Sequence, residues 1–184
     1  MTSQQRHSAR MPRSRHATAT LVALSLAWTS VLAENSPAGP PLPLAVFDFE
    51  LEDLSPAAAL LNRATSSTAA MDKVTSAARD ELARSGRYWL VDVGAVTAEA
   101  ATARLLRNCD GCEAKIALQL GAERSLLGIV RRATQTDYYV VIQIRDTHTG
   151  KLVDEQDANF AGSEEGWPSG VRMLIRHQLL PSSN

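Results

Sequence analysis

The stretch from Cys109 to Val130, CDGCEAKIALQLGAERSLLGIV, constrains the fold more than any other. A Cys-x-x-Cys pair opens a short helix that places Ile116, Leu118 and Leu120 around Ala117, and Gly121 is the residue to end it in a left-handed conformation. Ser125–Val130 follows as a short apolar run, the pattern of a strand covered on both faces. A helix that gives way to a doubly buried strand requires neighbouring strands on both sides and further helices over the sheet. Upstream, the chain reads as a β-α-β-α approach to this stretch; downstream it reads as a hairpin, a further strand and a closing helix.

Leu44–Leu51 (LAVFDFEL) alternates, with Val46 and Asp48 expected on one face and Phe47 and Phe49 on the other, as in a first strand. Ser55 to Ala70 is small and polar, a loop with a helical turn after Ser55-Pro56. Met71, Val74, Ala78 and Leu82 recur at helical spacing up to Ser85-Gly86. Tyr88–Val93 is a second strand, and Val96, Ala100, Ala103 and Leu106 mark a second helix ending near Asn108. Tyr138–Arg145 is the strongest strand, with Tyr138, Val140, Ile142 and Ile144 on one face. Turns at ATQT and at Asp146–Lys151 flank it, Gly150 taking the positive φ. Leu152–Phe160 carries Asp154, Glu155 and Asp157, as suits an edge strand guarded by charge. Trp167-Pro168 opens a last helix with Val171, Leu174, Ile175 and Leu179 on one side. The expectation is α/β: a single-domain sandwich with one mixed β-sheet of about five strands and helices packed against it, in the order β-α-β-α-α-β-β-β-α.

The ends set the compartment. Arg6, Arg10, Arg13 and Arg15 precede the first acidic residue, Glu34, and lead into the apolar run Ala17–Ala33, which closes on small residues. This fits a secretory signal peptide over residues 1–33, with an uncleaved amphipathic tail or anchor as the alternative, and the run is shorter than the roughly 20 residues of a spanning helix. A Pro-rich spacer, 34–43, precedes a single α/β domain over 44–181. Loss of residues 1–33 removes four of 19 basic residues, none of 20 acidic ones, and His7 and His16 of the four histidines. The remaining balance is −5, and already in the whole chain the net charge of −1, with no basic surplus, argues against a general nucleic-acid binder. A periplasmic location follows, with no transmembrane span after cleavage.

Cys109 and Cys112 are the only two cysteines. They read either as a structural disulfide in an oxidising compartment or as a redox-active pair in which backbone amides at the helix start favour the Cys109 thiolate. Haem attachment fails because Glu113 stands where His is required, and a zinc site lacks two further ligands. The acidic run Asp48, Glu50, Glu52 and Asp53 lies at the carboxyl end of the first strand, where α/β sheets bind ligands. Asp48 and Glu50 are thus possible binding residues for a small molecule or cation, against a solvated loop as the alternative. Arg124, Arg131, Arg132 and Arg145 read as a basic patch or as partners of Asp137, Asp146 or Glu155. Trp89 and Trp167 read as core or first-turn residues, with Trp167 also a possible binding residue. No catalytic triad, phosphate-binding glycine loop or metal-ligand spacing is present, so no cofactor and no enzymatic activity are expected.

The phrases AVFDFE, LARSGRYWLVD, LGAERSLLGIV and VVIQIRDTHTGKLV resemble the domain shared by curli-secretion lipoproteins and the amino-terminal part of the Tol-Pal translocation protein. The chain is also similar, from Leu44 to Leu180, to small exported bacterial proteins of unknown function. Those proteins combine a C-x-x-C before the LGA phrase with a terminal W-x-x-G-V-x-x-L-I-R helix, here Trp167, Gly170, Val171, Leu174, Ile175 and Arg176. Some of that group look associated with periplasmic quinoprotein alcohol-oxidation systems. The resemblance implies an accessory module that binds a periplasmic or envelope protein. The chain departs from the curli-secretion pore in having no lipidated Cys and none of the insertions that build a membrane barrel. It also lacks the repeated propeller blades of the translocation protein.

Overall fold

The structure, a computed structural model, describes residues 39–55, 58, 64–94 and 105–180, with no side chains described over 64–67. The expected signal peptide, most of the spacer and the expected helix over 96–104 lie outside the described residues. Those described belong to one compact unit, Pro37–Asn184.

Six strands form one mixed sheet: β1 (Leu42–Val46), β2 (Glu50–Asp53), β3 (Tyr88–Val91), β4 (Arg124–Arg132), β5 (Asp137–Asp146) and β6 (Leu152–Ala161). The order is β3-β1-β4-β5-β6, with β2 also paired to β4. The β3, β1, β2 and β4 pairings are parallel, and β4-β5-β6 is an antiparallel meander. Among the described residues three helices cover the sheet: α1 (Ala64–Arg84), α2 (Cys112–Gln119) and α3 (Trp167–Leu174). The mixed α/β sandwich expected from sequence is the fold observed. α1 starts earlier than expected, with 64–70 helical rather than loop, and β3 stops at Val91 rather than Val93.

One side of the sheet packs on α1 and α3 through Leu44, Val46, Val74, Leu82, Leu126, Ile142 and Leu174, all at most 1% exposed. All four residues of the apolar face of β5, Tyr138, Val140, Ile142 and Ile144, lie in that cluster. The other side packs on α2 through Ala45, Phe47, Val93, Ala117 and Ala122. β4 is therefore buried on both faces, as its apolar run requires. After Leu174 the last helix widens into a π-helical turn over Ile175–Leu179, in which Leu180 N donates to Ile175 O at 2.8 Å. Ile175 and Leu179 stay buried through it.

The first strand is not continuous. Val46 pairs with Leu126 and Glu50 with Ile129, so three residues, Phe47–Phe49, stand against two on β4. This one-residue bulge reverses the alternation. Phe47 stays on the α2 side, while Phe49 joins Val46 on the α1 side, which corrects the expectation that the two phenylalanines share a face. Two groups of α1 hold the bulge, one helical turn apart. Thr75 Oγ1 accepts from Phe49 N at 2.9 Å, and the Arg79 guanidinium donates to Val46 O at 2.8 Å and to Asp48 Oδ1 at 3.0 Å. Opposite the bulge lies Gly128, where an added Cβ would fall inside the Phe49 ring.

Candidate functional site around the Cys109–Cys112 loop

The acidic run and the arginines, separate candidates in the sequence, neutralise each other. Parallel pairing sets Glu52 beside Arg131 and Asp53 beside Arg132, and ion pairs close at 2.6 and 2.7 Å. Arg132 is 4% exposed; it also pairs with Glu164 and lies 5.5 Å from the centroid of Trp167. Trp167 sits in the core at 1% exposure, 5.7 Å from the Tyr138 ring. Arg124 pairs with Asp146 at 2.6 Å, while Asp137 and Glu155 accept hydrogen bonds from Thr134 and Gln143, with no arginine pairing among the described residues.

The possible binding residues do not converge. Asp48 is exposed at the bulge and lines a cleft of about 480 Å³ with Arg79, Val46, Leu90, Val91 and Asp92, at the carboxyl ends of β1 and β3. Glu50 points to the other side of the sheet. It accepts from Leu106 N at 2.6 Å and from Arg107 Nη1 at 2.9 Å, and so anchors the 3-10 turn Leu106–Asn108 that leads into Cys109. Trp89 is 62% exposed on the edge strand β3, not buried as expected, because β3 ends the sheet and Trp89 faces away from the α1 core.

The Cys109 and Cys112 sulfurs are joined as a disulfide, with Cα atoms 5.7 Å apart. Gly111, at φ +80°, turns the chain into α2, so Cys112, and not Cys109, occupies the first helical position nearest the free backbone amides. Both cysteines are half-buried, and Cys109 borders a cleft of about 310 Å³ shared with Arg107, Asp110, Glu113, Gln143 and Arg145.

Arg145 organises the loop from β5. It donates to Asp110 Oδ1 at 2.9 Å and to Gly150 O at 3.2 Å, and its Nε lies 3.0 Å from Glu113 Oε1. Glu113 is 2% exposed. Among the described residues the buried side-chain atoms without a hydrogen-bond partner are Glu113 Oε2, Arg145 Nε and Ser125 Oγ. Ser125 and Arg145 are cross-strand neighbours, and Arg145 meets Glu113, so these atoms occupy one region of the α2 side. The Nε contact is an ion pair without hydrogen-bond alignment. Burial pushes the Glu113 carboxyl above the usual glutamate range, against its own backbone N–H and Arg145.

Cys109, Cys112 and Glu113 bring ligand-type atoms within 4.8 Å of one another. Bonded to each other, the sulfurs are not thiolate ligands, and the chemistry open to the cluster is sulfur exchange and proton transfer. Sequence reasoning passed over Glu113 as a functional residue. The signal was its place four residues before Ala117 on the buried stripe of α2, where an acid must find a cation.

A mixed sheet with helices on both faces and a disulfide loop pinned at one end defines an α/β sandwich domain. The chain belongs to the family DUF3280, "Protein of unknown function (DUF2380)", which it matches over residues 43–179. Comparison with curated proteins gives no match. Among solved structures the chain is similar to the LpoB C-terminal domain from Salmonella enterica, at 16% identity and a TM-score of 0.43, over 67% of this chain and 85% of that one. It is also similar to lipoprotein GNA1162 from Neisseria meningitidis, at 15% and 0.44 over 78% of this chain and 100% of that one. A third is TolB from Acinetobacter baumannii, at 15% and 0.45 over 76% of this chain and 28% of that one. Likeness at this level says nothing of what this chain binds.

Proposed function

We propose that this chain is a non-enzymatic protein-interaction module, exported to the periplasm, where it serves as an accessory to an envelope or periplasmic partner. The observation that carries the reading is Trp89, a large aromatic left 62% exposed on β3, the strand that ends the sheet among the described residues. Tryptophan is the side chain most enriched at the centres of protein interfaces, and a sheet edge supplies backbone hydrogen bonds to a docking segment. The signal-peptide pattern supports export. Among the described residues no helix is long and apolar enough to cross a membrane. The experiment is site-specific photo-crosslinking from position 89 in the full chain expressed in a Gram-negative host. One discrete crosslinked envelope protein, lost on competition with unlabelled wild type but not with Trp89→Asp, is the expected result. A strict monomer in sedimentation with no such crosslink overturns it.

A second reading, small-molecule binding, is favoured by the cleft at Asp48 and Arg79. Isothermal titration with candidate anionic or cationic metabolites, silenced by Arg79→Ala, is its test.

A further inference from the structure

We propose that Cys109–Cys112 is a redox-active disulfide, in which buried Glu113 protonates the departing Cys112 sulfur when a dithiol donor reduces the pair. The Arg145 contact engages Oε1 of the Glu113 carboxyl and leaves Oε2 without a hydrogen-bond partner beside the disulfide. Burying such a group is costly unless it is fully hydrogen-bonded, and a buried polar atom without a partner calls for a reason such as redox or catalytic duty. Here Glu113 is 2% exposed, Oε2 has no hydrogen-bond partner, and the carboxylate lies within 4.8 Å of both sulfurs. The cleft that exposes Cys109 is the one Glu113 lines, so a donor thiolate reaches sulfur on the side where the acid waits.

The chemistry balances as a dithiol–disulfide exchange. The donor thiolate attacks Cys109 Sγ, forming a mixed disulfide and breaking the Cys109–Cys112 bond. Cys112 leaves with the electron pair at the first position of α2, where backbone amides stabilise its negative charge, and takes the proton from Glu113. The donor's second thiol loses its proton to solvent and attacks its own sulfur in the mixed disulfide. Cys109 is released and protonated from solvent, and the carboxylate regains a proton from solvent. Two electrons and two protons pass from donor to protein. The charged groups around Glu113 are Arg145 from β5, Asp110 from the loop, and Arg107 with its partner Glu50 from the turn and β2; β4 presents Ser125 and Leu127. Arg145 sets the carboxyl's position, and burial keeps its proton available above the ordinary carboxylate range.

The test is reduction of the purified full chain by dithiothreitol, with the rate constant corrected for the dithiothreitol thiolate fraction at each pH. In wild type the corrected rate is expected to fall as pH rises through the Glu113 titration. In Glu113→Gln, which cannot release a proton, the profile is expected to be flat and the low-pH rate lower by about a hundredfold, the lower range of general-acid effects. Superimposable profiles overturn the proposal, as does a pair that dithiothreitol leaves oxidised in the native fold. If Glu113→Gln does not fold, wild type decides: ¹³C-carboxyl NMR titrates Glu113 in the disulfide and dithiol forms. Coupling to the thiols requires different midpoints by linkage, and equal midpoints overturn the proposal.

Discussion

At the scale of single residues, Gly128 and Phe49 are one unit. The glycine is in the middle of a doubly buried strand, where a side chain would ordinarily be favoured, and it is there because the Phe49 ring lies against its Cα. Gly128→Ala is expected to cost about 1–3 kcal/mol by overpacking, and Phe49→Ala about 3–5 kcal/mol by cavity formation. In urea denaturation the double variant is expected to lose less than the sum of the two, since removing the ring makes room for the methyl. Strict additivity would show that the ring does not depend on the glycine. The apolar character of the 125–130 run was legible in the sequence. That its glycine answers to a phenylalanine from a strand so distant in the chain was not, because a glycine's spelling does not tell backbone freedom from missing volume.

At the scale of elements, the bulge between β1 and β2 depends on α1. Thr75 is 3% exposed, and its hydroxyl accepts from the otherwise unpaired Phe49 N–H. Thr75→Val keeps the shape and leaves that donor buried, at an expected cost of about 1–3 kcal/mol in chemical denaturation, whereas Thr75→Ser restores most of it. Equal losses for both variants would assign the cost to packing alone. The sequence shows α1 by its spacing of Met71, Val74, Ala78 and Leu82, and the meander by Tyr138–Arg145 with its two turns. It does not show the bulge. LAVFDFEL alternates without flaw on paper, and only the pairings of Val46 and Glu50 with β4 expose the extra residue. The ion pairs of Arg131 and Arg132 were hidden for the same reason, since they follow from a parallel register between segments far apart in the chain. The Cys-x-x-Cys loop was legible as a feature, but its acid and arginine were not, because Arg145 reaches it from another strand.

At the scale of the whole molecule, charged groups respond to pH in two directions. Asp53, where burial is outweighed by hydrogen bonds from Ser55 and Arg132, is held below the ordinary carboxylate range. So are Glu81, held chiefly by Arg176, and Asp146, held by the Thr149 N–H. Their stabilisation is present above the unfolded carboxylate values and is lost as pH falls through the folded ones, so the urea midpoint should drop below about pH 4. Glu113 has the opposite sign. Raised by burial, it favours the fold most below its unfolded value and loses that contribution as pH rises through its folded one. Relative to Glu113→Gln, the wild type should therefore lose ground as pH climbs from about 4 toward neutrality. A constant difference between the two midpoints would deny the raised titration.

The extra residue at Phe47–Phe49 also acts as a change of parity. Before it, odd-numbered side chains face α2; after it, even-numbered ones do. The side facing α1 is left apolar throughout, from Leu44 through Val46 to Phe49 and Leu51, while the side facing α2 passes from Ala45 and Phe47 to Glu50. A single chain path thus writes grease on one side and, on the other, grease followed by charge. Were the same residues to run in unbroken alternation, Glu50 would come round to the oily side and the cysteine loop would lose the carboxylate that moors it, whereas deleting Asp48 would straighten the strand and leave Glu50 where it is.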